Sequence, residues 1–288
     1  MKSSYYKYFA ALLLFGSNGI VASNINLPSY EIVLLRLLLG SLFLITVFTV
    51  SRQRFTFYRN KHTCLYLFIS ASAMGASWML LYEAYQQVGI SIASLAYYCG
   101  PVIVMILSPF LFRETLTWLA GFLTVLAGMC LVNLQALDEG KTIWGLFCGL
   151  MSAFMYALMV TANKKAKPES GLENSLLQLV IGSFIVVAFV SMQKNFVLSL
   201  TTIDWIPVLL LGLLNTGIGC YLYFSSITDL PVQTVAICGY LEPLSAVVFS
   251  VLFLHEVLLP LQMLGAVLIL GGAIFGECFN PEKQQWLQ

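Results

Sequence analysis

Charge is what this sequence has least of. Asp, Glu, Lys and Arg make up 9% of its 288 residues, against about 25% in an ordinary soluble domain, while 59% are hydrophobic. Histidine is nearly absent, with only His62 and His255. Long polar loops are missing too: the longest stretch between apolar segments, SRQRFTFYRNKH, has 12 residues and leaves no room for a soluble active site. No GxxxxGK loop followed by Ser or Thr occurs, so ATP does not drive the protein directly. LHEVLLP lacks a second histidine one helical turn on and is no zinc motif, and neither GxSxG nor a catalytic Cys/His pair is present. A net charge of +1 offers no basic face for nucleic acid. The seven cysteines, at 64, 99, 130, 148, 220, 238 and 278, form neither a disulfide framework nor a metal spacing and read as core filler. These absences point away from an enzyme, a metal site and a cofactor. A membrane-embedded enzyme, which needs clustered His, Asp or Asn near an interface, is a poor fit.

Apolar windows are what remains, and they follow one another almost without pause. A helix needs about 20 apolar residues to cross about 30 Å of hydrocarbon. Ten such windows are expected, at 6–24, 30–51, 63–84, 91–112, 116–135, 143–163, 173–193, 205–226, 233–254 and 258–277. Only helices and closed barrels pair every backbone group inside lipid, so the fold class is an all-α membrane protein with ten transmembrane helices. The N-terminal MKSSYYKYFAALLLFGSNGIVAS imitates a signal peptide but is read as an uncleaved first span. With the N-terminus inside, eleven Lys and Arg fall in cytoplasmic segments, only Lys141 and Lys194 in external ones, and Arg36 within a span. That bias predicts a multi-pass protein of the cytoplasmic membrane with both termini cytoplasmic.

A shift of 142 residues brings the two halves into register from about 34 to 114: Gly40 meets Gly182, Gly75 meets Gly217, Tyr98 meets Tyr240, Pro101 meets Pro243 and Glu114 meets Glu256. Matched Pro, Gly and Glu at one offset predict a duplication, with halves at 1–137 and 143–278. Five spans per half is an odd number, so the second half enters the membrane from the opposite side. The result is a pair of inverted five-helix repeats, the architecture of many secondary transporters.

Each half ends in a Pro-containing span, a Glu and a Gly-rich last span, LAGFLTVLAGMCLV and MLGAVLILGGAIF. With LEPLSAVVFSVLFLHE at 241–256, this resembles the drug/metabolite transporter superfamily, specifically its ten-helix exporters with two EamA repeats. The first half departs from the pattern, with CGP in place of LEP. The resemblance implies export or exchange of amino acids, aromatic ones included, or of related metabolites or amphiphilic drugs. The expected partners are a small-molecule substrate, the bilayer, and a proton or an exchanged solute, with the protein a monomer or homodimer.

Two ionisable residues stand inside the apolar runs. Glu242 lies near mid-span, where an ionised group costs on the order of 2.5–3.5 kcal/mol unless it faces a cavity or a partner. It either meets a substrate's cationic group or a proton, or it locks helix packing. Arg36, in EIVLLRLLLG, suits bidentate binding of a carboxylate, or else snorkels to the interface or pairs with Glu31 or Glu83. Together they match the two ends of a zwitterion; a multidrug or cation exporter would need Glu242 alone. Trp78, Tyr97, Tyr156 and Tyr240 are deep enough to line a cavity or to pack. Asn18, between the glycines of GSNG, is either cavity-lining or an interhelical hydrogen bond. Pro101 and Pro243 are expected as kinks, with free carbonyls at Tyr97 and Gly239 as the alternative. Glu114 and Glu256 suit helix N-termini, and His255 suits an interface.

Overall fold

The computed structural model describes residues 2–25, 27–88, 93, 96–112, 143–192, 205–254, 264, 267 and 268. The expected fifth span, nearly all of the tenth, Glu114, His255 and Glu256 lie outside the described residues. Among the described residues every regular element is helical: α1 (Lys2–Gly16), α2 (Asn18–Ser23), α3 (Ser29–Val50), α4 (Lys61–Val88), α5 (Gly100–Phe112), α6 (Ile143–Ala166), α7 (Gly171–Met192), α8 (Trp205–Leu209), a π-helical segment (Leu210–Ile218), α9 (Gly219–Ser226), α10 (Val232–Gly239) and α11 (Leu241–Leu254).

Among the described residues, six helices or continuous runs are long and apolar enough to cross a membrane: Tyr30–Val50, Lys61–Gln87, Ile143–Ala166, Gly171–Met192, Trp205–Ser226 and Val232–Phe253. The chain is therefore a multi-pass helical membrane protein. Its outer surface agrees, because Leu38, Leu42 and Ile45 on α3 and Phe147, Leu150 and Phe154 on α6 are exposed at helical spacing. In water such stripes would be sticky, whereas lipid tails are as apolar as they are.

Since lipid gives helices no hydrophobic reason to associate, the interior is held by small residues and hydrogen bonds. Ser77 and Ser152 each donate to the other's carbonyl, at 2.9 and 2.7 Å, joining α4 to α6. Ser70 donates to Met159 O at 2.9 Å and accepts from Gln178 Nε2 at 2.9 Å, which brings in α7. A Cβ on Gly75 would stand 2.8 Å from Gly182 O, so the α4–α7 contact depends on glycine. Its counterpart lies between α3 and the π-helical segment, where a Cβ on Gly40 would stand 3.2 Å from Gly212 O and one on Gly217 would stand 2.7 Å from Phe43. Gly149 packs on Ala96 within the molecule.

The first span is not the unbroken helix expected over 6–24, because α1 stops at Gly16 and α2 restarts at Asn18. The prolines expected as kinks stand beside interruptions of the helix: the chain turns at Tyr98–Cys99 and, for one residue, at Tyr240, and Pro101 and Pro243 each lie in the opening turn of the helix that follows, α5 or α11. Proline is tolerated in a first turn, where its missing N–H costs nothing. The Tyr240 hydroxyl donates to Tyr98 O at 3.2 Å, tying the two breaks, 142 residues apart, to each other.

One end of the bundle gathers the α1 N-terminus and the segments 51–60, 167–170 and 227–231. Ser4 Oγ donates to Asp229 at 2.8 Å. Lys164 Nζ donates to the carbonyls of Ile227, Thr228 and Leu230. Glu173, in the first turn of α7 where a negative charge suits the helix dipole, accepts from Thr56 N and Oγ1, both at 2.6 Å, and from Phe57 N at 3.0 Å. Glu173 is 1% exposed, so nothing else replaces it as acceptor. Glu173→Ala is expected to cost about 2–4 kcal/mol, read as a lower unfolding midpoint in detergent. Glu173→Gln, keeping one acceptor oxygen, falls between.

Candidate functional site

Arg36 lies seven residues after Ser29, about two turns or 10 Å into α3. It is 8% exposed and does not reach an interface. Its guanidinium carbon stands 4.3 Å over the centre of the Trp78 ring, and its Nε donates to Thr216 Oγ1 at 3.1 Å. Tyr82 also faces it. Of the expected alternatives, burial of the guanidinium speaks against snorkelling, and Glu83 takes Gln87 and Trp144. The π-helical segment makes this possible. Gly40, one turn after Arg36 on the same face, lets α3 approach closely enough for Thr216 to meet the guanidinium.

Glu242 opens α11 just past the break at Tyr240, where the helix N-terminus favours its charge. A close approach of α1 fixes its backbone: a Cβ on Gly16 would overlap Ser245 Oγ and stand 2.9 Å from Glu242 O. The side chain lies deep in the bundle yet keeps accessible surface, as do Tyr97, Tyr98 and Tyr156 around it. Arg36 and Glu242 lie within each other's electrostatic field, with the buried Cys220 of α9 sensing both. No ion pair joins them. A guanidinium and a carboxyl group therefore share one interior region without a salt bridge between them.

The remaining candidates divide. Tyr97 packs edge-on against Tyr156 with centroids 5.6 Å apart, and the Tyr156 hydroxyl lies 3.2 Å from that of Tyr223. These two belong to the surround of Glu242. Trp78 belongs to that of Arg36. Tyr240 is 1% exposed and spends its hydroxyl on Tyr98 O, so it packs between the two breaks. Asn18 is an interhelical contact, its Oδ1 accepting from Asn215 Nδ2 at 2.9 Å.

A sequence model of the EamA-like transporter family matches residues 3–134 and again 143–276. The chain belongs to the EamA-like transporter family. It is 27% identical over 251 residues to the threonine/homoserine exporter RhtA of Escherichia coli strain K12, covering 87% of this chain and 82% of that one. It is 26% identical over 271 residues to the uncharacterized transporter YxxF of Bacillus subtilis strain 168, covering 92% of this chain and 86% of that one. A solved crystal structure superposes with a TM-score of 0.80 over 96% of this chain and 98% of its own; at 17% identity this shows a shared fold.

In this EamA-family chain, sequence reading passed over Thr216, Asn215 and Tyr8. Tyr8 is fully buried, donates to Val235 O at 2.7 Å and packs on Tyr223 at 5.6 Å. The signal for Thr216 and Asn215 was present as NTG, two polar residues inside LLGLLNTGIG, a pattern like the one that singled out Asn18. Gly16→Ala is expected to lower the unfolding midpoint and transport together by prising α1 off α11. Adding Ser245→Gly, which removes the nearest clash, recovers part of both.

Proposed function

We propose that the chain exports a small amino acid or similar amphiphile across a bacterial-type cytoplasmic membrane, by alternating access between inverted repeats at 1–137 and 143–278. The observation that carries the substrate reading is the pair Arg36 and Glu242, deep in one region and not joined to each other by an ion pair. A zwitterion supplies a carboxylate for the first and an ammonium for the second. An organic cation would employ Glu242 and leave a buried Arg36 without a task, so the zwitterion is favoured over the cation exporter. Tyr97 and Tyr156 give the ammonium end an aromatic wall, with the free substrate, the bilayer and a proton or exchanged solute as partners. Relatives that are threonine/homoserine exporters make threonine the first probe.

Support for the inverted arrangement comes from the exchanged interfaces around Gly75 and Gly182 and around Gly217 and Gly40. The orientation, with the N-terminus cytoplasmic, is supported by the bundle end that gathers Lys2, Arg52, Arg54, Lys165 and Lys167. Bonds from Ser4 to Asp229 and from Thr56 to Glu173 cross between the proposed halves at that end, as a closed cytoplasmic gate requires.

Threonine flux in proteoliposomes tests the reading. Arg36→Ala is expected to reduce it roughly 30-fold or more, since truncating one partner of a buried charge pair costs about 2 kcal/mol or more. Glu242→Gln reduces it comparably, while efflux of a hydrophobic cation such as ethidium stays negligible in every variant. Unchanged threonine flux in Arg36→Ala contradicts the zwitterion reading, and Glu242-dependent ethidium efflux establishes the cation exporter instead.

A further inference from the structure

We infer that Thr216 is a positioning residue for substrate recognition: it fixes the guanidinium of Arg36 so that only the edge bearing the two terminal nitrogens is left for a carboxylate. The inference rests on the zwitterion reading and adds to it a geometry and a residue.

A threonine hydroxyl has one proton and two lone pairs. The proton of Thr216 Oγ1 goes to Leu211 O at 2.8 Å, the carbonyl five residues back, which a π-helical turn brings beneath it. With that proton committed, the hydroxyl meets Arg36 as an acceptor only, and Nε donates to it at 3.1 Å. Trp78 stacks on the guanidinium at 4.3 Å. A guanidinium presents its donors in a rigid planar fork, and a carboxylate takes two of them in parallel. With Nε occupied, one face covered and the Tyr82 hydroxyl alongside, the pair of terminal nitrogens is the edge on which two parallel bonds can form once a carboxylate takes the place of Tyr82. The carboxylate then arrives end-on.

The local backbone is shaped for this tether. A Cβ on Gly40 would stand 3.0 Å from Thr216 Cγ2 and 3.2 Å from Gly212 O, so α3 and the π-helical segment meet with no side chain between them. The adjacent Asn215 reaches the other way, with Nδ2 2.9 Å from Leu14 O, Ser17 Oγ and Asn18 Oδ1. The same widened turn thus anchors the α1–α2 break through one residue and the arginine through the next. π-helical turns are rare and concentrate at functional sites.

The test compares wild type, Thr216→Val and Thr216→Ser in proteoliposomes. Valine keeps the shape and removes the acceptor; serine keeps the acceptor and loses a methyl. Threonine uptake is measured against concentration, with 1-amino-2-propanol, which is threonine without its carboxylate, as competitor. The valine variant is expected to raise the half-saturating threonine concentration about tenfold, the size of one lost hydrogen bond to a charged group, with the maximal rate within about twofold. It also competes less selectively, admitting the amino alcohol nearly as well as threonine. Serine restores both readings. A valine variant with wild-type affinity and selectivity, or valine and serine variants equally impaired, overturns the inference while leaving the zwitterion reading intact. A wild type that ignores threonine, or carries it without regard to the carboxylate, overturns that reading and the inference with it.

Discussion

Two opposite charges held apart inside a bundle that faces lipid are the constraint on which the rest of this structure depends. Arg36 and Glu242 each carry a desolvation cost that a salt bridge would partly offset, and the fold keeps them from making one. Arg36 is compensated on the spot by the Trp78 ring and the Thr216 hydroxyl. Glu242 is compensated by the N-terminus of α11. Neither arrangement joins the two groups to each other, which is what the proposed zwitterion site requires. A direct ion pair would be steadier and chemically idle.

The helices around these two groups are interrupted within apolar runs, and in lipid every backbone polar group must be satisfied internally. Side chains bond to backbone carbonyls near these interruptions. Asn215 and Ser17 donate to Leu14 O where α1 gives way to α2. Tyr240 donates to Tyr98 O where α5 is about to begin. Tyr8 donates to Val235 O in α10, shortly before the break at Tyr240. A tyrosine hydroxyl suits this work, being one strong donor on a rigid apolar ring that can lie within a greasy interior. The aromatic crowd around Glu242 therefore serves the backbone as well as any ligand.

What could be read from the sequence follows from how costly each feature is in lipid. Membrane class, helical content and the exceptional status of Arg36 and Glu242 were legible because a charge in an apolar run has few innocent explanations. Threonine carries no such cost, since it can bond back to its own helix, so Thr216 gave little sign that its lone pair served Arg36. The π-helical turn left no mark either, because LLGLLNTGIG has the same apolar period in an α-helix. Pro101 and Pro243 announced a disturbance but not its extent, and neighbours such as Tyr240 decided that the chain would break. Asn18 left two readings open, and nothing local in the sequence showed that Asn215 of another span donates to it. Glu173 reads from sequence as an ordinary first-turn acid, and only folding brings Thr56 and Phe57 beneath it.

The central claim is that the two charges grip opposite ends of one molecule, and equilibrium binding to the wild-type protein tests it most directly. Threonine, threonine amide and N-acetylthreonine differ only at those ends. Threonine is predicted to bind, with both blocked forms weaker by at least tenfold, because each leaves one buried charge unanswered. Binding of either blocked form as tightly as threonine itself would contradict the account.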